Sequence, residues 1–202
     1  MIKKIIIYSN LLILLISGNA FAQMTELPFA QKIENSSDIF EGKVIRKASY
    51  WNEKHTLILT SNTIEVYKVF KGNIATSEVD ILTDGGQVGY DIQGSESSIV
   101  LKEGDIGVFM VNTSTFNENK ILFFRTYGDW QGFIKYDLLE KTASDPFKKY
   151  NNIPDGVYKA ITDKTGQAFR EIKSFNIDNP NGTKSKKERT WFRCCKKKKK
   201  TK

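Results

Sequence analysis

The chain has one histidine, His55, and two cysteines, the adjacent pair Cys194 and Cys195. That scarcity limits the reactive chemistry at once. A zinc-protease helix needs two histidines and a glutamate on one face. A serine triad would have to take His55 as its base, and no G-x-S-x-G elbow occurs. His55 follows the polar turn Asn52-Glu53-Lys54 and reads as an exposed turn residue. The cysteines sit in a lysine-rich tail with no scaffold to orient a nucleophile. Two thiols and one distant imidazole make too few ligands for zinc. No catalytic residue, metal or cofactor is expected.

Carboxylates are the next candidates. Asp84, Asp91, Glu96, Glu103 and Asp105 fall in or near one glycine-rich loop, where a converging pair could hold calcium or move a proton. They lack D-x-D-x-D-G spacing and read as solvated loop acids. "DGGQVG" shares only its glycines with a phosphate loop, and reads as a hairpin or wide loop needing positive φ. The aromatic residues remain. Tyr50 and Trp51 lie at the first hairpin, and Tyr127, Trp130, Phe133 and Tyr136 flank a turn at Gly128. If both turns share one end of a barrel, these six make an aromatic rim suited to protein or sugar contact.

The elements that must position these groups are mostly strands. Pro28–Glu34 reads as a short helix. Ile39–Trp51 alternates, with Phe40, Gly42 and Val44 on one face and Glu41 and Lys43 facing away. Gly42 within a strand marks a bulge or a close backbone approach. The next strand runs from His55 to Phe70, with Ile64 and Val66 inward and Glu65 outward. Its phase breaks at Val69-Phe70, which calls for a bulge near Lys68. Lys71-Gly72-Asn73 supplies the turn. Further strands are "EVDILT", "SSIVL", "IGVFMVN" (apolar on both faces, as in a central strand), "KILFFRTY" and "GFIKYDLL". Pro154 and Asp155 open a helix that buries Val157, Ala160 and Ile161 and ends at Gly166. The reading is mainly antiparallel β, an OB-like barrel or sandwich with a short N-terminal helix and one C-terminal helix.

Residues 1–22 read as a signal peptide. Lys3 and Lys4 precede a short apolar run, and Ala20-Phe21-Ala22 gives the cleavage pattern. The run is interrupted and shorter than the ~20 residues of a span. The expected location is therefore secreted, periplasmic or cell-surface, with no transmembrane span in the mature chain. Residues 23–140 are expected to form the barrel domain, 141–175 a helical extension, and 176–202 a disordered basic tail. The formal net charge of +8 is uneven: +10 lies in 184–202 and +2 in 1–22, leaving −4 for 23–183. A basic folded face for nucleic acid is therefore not expected. The tail could touch an anionic surface. Its abrupt change in composition reads slightly better as the end of a truncated or frame-disrupted longer chain.

"DIFEGKVIRKASYW", "NTIEVYKVFKG", "VDILTDGGQVG" and "LKEGDIGVFMVN" occur in that order. Over roughly 24–172 the chain resembles the N-terminal module of large secreted proteins that use type IX secretion in Gram-negative bacteria. Some of these carry a matrixin-like zinc protease or an adhesion region downstream. More distantly, the layout of Gly42, Val44, Trp51, Val66, Val69, Lys71, Gly72, Gly104 and Asp105 is similar to the netrin and tissue-inhibitor-of-metalloproteinase modules, which are OB-like barrels. The inhibitors' N-terminal cysteine is missing here, so their mechanism is not implied. The resemblance implies a non-catalytic accessory or interaction module at the start of a larger exported protein, with a protein partner or neighbouring domain. The alternatives are a fragment associated with a secreted zinc metalloprotease, or a module binding a small peptide or sugar.

Overall fold

A computed structural model describes residues 25–94, 98–116 and 121–180. The expected signal peptide, Glu96, Cys194, Cys195 and most of the basic tail lie outside them. Among the described residues no helix is long and apolar enough to cross a membrane.

Helix α1 (Phe29–Asn35) leads into two long strands, β1 (Asp38–Trp51) and β2 (Ile58–Lys71). There follow β3 (Glu78–Asp84), a small hairpin of β4 (Gly86–Val88) and β5 (Asp91–Gln93), β6 (Ile106–Phe116), β7 (Ile121–Thr126) and β8 (Phe133–Asp137). Short strands β9 (Thr142–Ser144) and β10 (Lys149–Tyr150) extend the sheet from β8. A wide turn at Ile153–Tyr158 runs into α2 (Lys159–Thr165), and β11 (Arg170–Glu171) returns to pair with β2. The stretch 141–175 thus carries the expected helix and also three strands of the main sheet. "SSIVL" forms no strand among its described residues.

Five strands close a ring in the order β1-β2-β3-β7-β6 and back to β1. All pairs are antiparallel except β3 with β7, which are parallel at Ile81 and Phe124. This is the Greek-key arrangement of an OB barrel. The register shows its tilt. Asp38 faces Val111, and Val111 faces Thr126. Two residues past the parallel pair lies Thr83, which faces Thr60, and Thr60 faces Ser49. One circuit therefore returns to β1 eleven residues further along, the stagger of a small, strongly tilted barrel. β1 pairs with β6 only over Asp38–Lys43; Val44 still exchanges backbone bonds with Gly104 and Asp105, and beyond it β2 is the only strand of the ring paired with β1, so the ring gapes.

β6 explains the two cores. Phe109 and Val111 join Phe40, Val44, Ile64, Val66, Val69 and Ile81 inside the barrel. Ile106, Val108 and Met110 point the other way, into a second core with Ile39, Phe70, Ile134 and the helical residues Ile33, Val157 and Ile161. The strand is apolar on both faces because helices cover its outside. Glu41 was expected to face away from the core. It does leave the barrel interior, but into this second core, where it is fully buried.

The bulge near Lys68 is present. Glu41 faces Lys68 and Gly42 faces Val66, which leaves Tyr67 without a partner on β1. Gly42 marks a close approach, since a Cβ there would lie 2.6 Å from the Glu65 carbonyl. At the turn, Gly72 has φ +90, and a Cβ would fall 1.9 Å from Asp38 Oδ1, which accepts from Asn73 N–H. Only glycine fits there.

Candidate functional site

The six aromatic residues do not form one rim. Phe133 is buried inside the barrel, stacked 4.4 Å from Phe109. Tyr136 is buried in the second core. Tyr50 is half-exposed opposite Leu59, and Trp51 stacks on His55 at 6.0 Å. Tyr127 accepts a hydrogen bond from Asn35 Nδ2 at 3.1 Å, and Trp130 is half-exposed in the turn after Gly128. The turns they flank meet β1 at opposite ends of its register: Tyr127 N–H donates to Met110, the partner of Ile39.

The loop acids have local jobs. Asp84 takes a two-pronged pair from Arg125, 3.0 Å on each arm. Asp105 accepts from Lys135 and from Lys102 N–H, and Glu103 accepts from Lys47 N–H. Asp91 lies exposed on β5. Among the described residues no three histidines, cysteines or acids gather where a metal could bind.

Two polar clusters were not foreseen. The first lies in the second core. The buried Glu41 carboxylate accepts from Lys68 Nζ at 2.6 Å, from the Tyr136 hydroxyl at 2.9 Å and from the Tyr158 hydroxyl. Burial first, then the Glu41 charge, hold both phenols protonated well above the ordinary tyrosine range, so they remain donors. Lys68 Nζ also lies 5.2 Å from the Tyr158 ring centre, 5.8 Å from Phe169 and 5.6 Å from Phe175, favourable cation–π distances. A cleft of about 470 Å³ adjoins it, between Tyr158, Phe175 and Asn152. Period-two reading puts Glu41 opposite the barrel core, but only the helices and the return strand reveal that its side is also buried.

The second cluster lies where the ring gapes. Thr60 and Asn62 share the face of Ile64 and Val66, so they point into the barrel. Asn62 Nδ2 donates to the carbonyls of Thr60 and Ile81 and to Thr83 Oγ1, at 3.2, 3.0 and 3.1 Å. Thr83 Oγ1 donates to the Thr60 carbonyl, and Thr60 Oγ1 donates to the Gly85 carbonyl. Ser49 Oγ is 2.8 Å from Thr60 Oγ1. Asn62 Oδ1 is buried and has no hydrogen-bond partner.

The β4–β5 hairpin and residues 98–101 roof this mouth. Gly85, Gly86 and Gly89 have positive φ, as the glycine-rich stretch requires. Gly86 lies so close that a Cβ would fall 2.4 Å from Thr60 Oγ1. Gln93 Oε1 accepts from Ile58 N–H at 2.6 Å and pins the hairpin down. A groove of about 430 Å³ remains between roof and mouth. Two apolar side chains of its lining stand in solvent, Ile92 at 74% relative exposure and Val100 at 76%, and Tyr90 in the turn between β4 and β5 is fully exposed. Comparison with known proteins finds no match: no family model, curated protein or solved structure matches this chain.

Proposed function

We propose that the chain is a non-catalytic, exported accessory module, the first domain of a larger secreted protein, and that it works by contact. The contact surface is the β4–β5 hairpin with the groove beneath it. The observation that carries this reading is the exposure of Ile92 and Val100 at the edge of one groove, with the exposed Tyr90 in the turn of the same hairpin. Large apolar side chains grouped this way on a surface mark contact sites more often than they mark idle surface. The Glu41 cluster supports the same reading from the other side. Its carboxylate is taken up by three internal donors and serves the fold.

Covalent footprinting tests this. Tyr90 is expected to react freely with hydroxyl radicals in the purified module and to be protected in native extracellular material. Equal reactivity in the two preparations would remove the hairpin as a contact surface.

A further inference from the structure

The second polar cluster has a direction. Thr60 spends its hydroxyl proton on the Gly85 carbonyl, so Ser49 must be the donor in the Ser49–Thr60 contact. Thr83 spends its proton on the Thr60 carbonyl. All three hydroxyl protons of the mouth are therefore committed to the protein, and its Ser49, Thr60 and Thr83 oxygens offer spare lone pairs. The unpartnered Asn62 Oδ1 lies buried outside the groove lining and is not offered to a ligand. Donors stand nearby. Lys47 Nζ gives one bond to the Leu101 carbonyl and has two protons left, and the Gln93 amide lines the same groove. Ile92, Ile99, Val100 and Leu101 form an aliphatic side.

This combination selects a ligand class. The carboxylate lining the groove, Asp84, is held on both oxygens by Arg125, so an amine would find no free counter-charge and would meet the Lys47 charge. A carboxylate or phosphate would meet a wall of acceptors with one cation. A neutral ligand rich in hydroxyls can donate to the oxygens, accept from Lys47 and Gln93, and lay its C–H face on the aliphatic side. The volume lies in the range of small-molecule sites, which are mainly apolar with a few placed polar groups.

We infer that the groove between the β4–β5 hairpin and the barrel mouth binds a neutral saccharide unit, with Ser49, Thr60 and Thr83 as acceptors and Lys47 as donor. The inference rests on the interaction-module reading of the same surface and names the chemistry it recognises.

The test is NMR titration of the isotope-labelled chain with neutral hexose oligomers, uronic-acid oligomers and amino-sugar oligomers. Saturable shifts at the amides of Ser49, Thr60 and Thr83 are expected with the neutral set. Ser49→Ala should weaken that binding roughly three- to tenfold, the value of one hydrogen bond. Val100→Ser, at an exposed position where folding is not at stake, should weaken it as well. Unchanged spectra with every neutral oligomer, binding of the charged sets alone, or equal affinity in both variants would overturn the assignment. Footprint protection of Tyr90 surviving such a failure would leave the contact module standing without its saccharide. Loss of both would remove the two readings together.

Discussion

The same two strands carry two polar clusters of opposite character. Near the start of β1 and the end of β2, Glu41 and Lys68 face each other inside an apolar core. Near the far end of the same pair, Ser49 faces Thr60, and Asn62 lies two residues on. The first cluster is charged and closed, with three donors converging on one carboxylate. The second is neutral and one-sided, with its protons directed inward and acceptor capacity left over. The difference follows from what covers each. The Glu41 end is enclosed by Tyr158 and by the return strand after α2. The Ser49 end lies where β1 has lost β6, and a glycine-rich hairpin forms its roof. A buried polar group thus signals a binding role only when it retains capacity its neighbours do not use.

The largest expected effect breaks the closed cluster. Glu41→Ala leaves the Lys68 ammonium buried without a counter-charge and two phenols without an acceptor. It should destabilise the fold by about 3–5 kcal/mol, read by urea denaturation. Glu41→Leu combined with Lys68→Met removes both charges and should recover the part of that loss owed to the stranded ammonium, the two phenols still lacking their acceptor. A single substitution costing under about 1 kcal/mol would mean that the pair is solvated in solution, and the contrast between the two ends would collapse.

At the open end the corresponding core residue is Asn62. Asn62→Ala removes a fully buried amide whose two protons are shared among three acceptors. It should cost about 1–3 kcal/mol, less than the Glu41 loss because no charge is stranded. The substitution also frees Thr83 Oγ1 from its donor, so the Thr83 amide resonance should move even where the fold is kept. Equal costs for Asn62→Ala and Glu41→Ala would show that charge is not what separates the clusters.

How much of this could be read from the residues varies with range. The barrel was legible: alternation in β1 and β2, the phase break at Lys68 and the turn at Gly72 are local signals, and each appears in the structure. The helix ending at Gly166 was legible for the same reason, and Gly166 N–H bonds the Thr162 carbonyl at φ +67. The parallel pairing of β3 with β7 was not, because a ladder with one registered pair, Ile81 and Phe124, leaves no trace in either strand. Glu41 misled because period two tells which face a residue takes but not whether that face is covered. Phe133 and Tyr136 misled similarly, since aromatic residues beside a turn look the same whether they pack on Phe109 and Glu41 or stand in water. The candidate groove was hidden further, because Ser49, Thr60, Asn62 and Thr83 are ordinary residues until the register joins them.

A third buried pair tests whether burial or saturation decides the matter. Lys32 of α1 meets Asp145 at 2.7 Å, and both side chains are almost wholly enclosed. Burial pushes the Asp145 carboxyl up, but the Lys32 hydrogen bond and the N–H groups of Phe147 and Lys148 outweigh it and hold the carboxyl below its ordinary range. The folded state therefore binds this proton less readily than the unfolded chain does. The stabilisation is complete above the ordinary aspartate value near 3.8 and is lost as pH falls through the lower folded value. Lys32→Met should flatten that part of the acid-unfolding profile relative to the parent chain. An unchanged profile would assign the acid sensitivity to other carboxylates.

The smallest effect expected is the most discriminating. Ser49 is only partly buried, and its hydroxyl donates to a threonine oxygen that keeps its own bond to Gly85. Ser49→Ala therefore strands no donor, and the buried Thr60 Oγ1 loses one accepted bond while it keeps the bond it donates to Gly85. The change in stability should stay within about 0.5 kcal/mol, although the same substitution is expected to weaken saccharide binding. A strut and a recognition group differ in this split: removing a strut costs stability, whereas removing a recognition group costs affinity. If Ser49→Ala destabilises the fold by more than about 1.5 kcal/mol, the hydroxyl belongs to the architecture, and the two ends of the β1–β2 pair are two versions of one structural device.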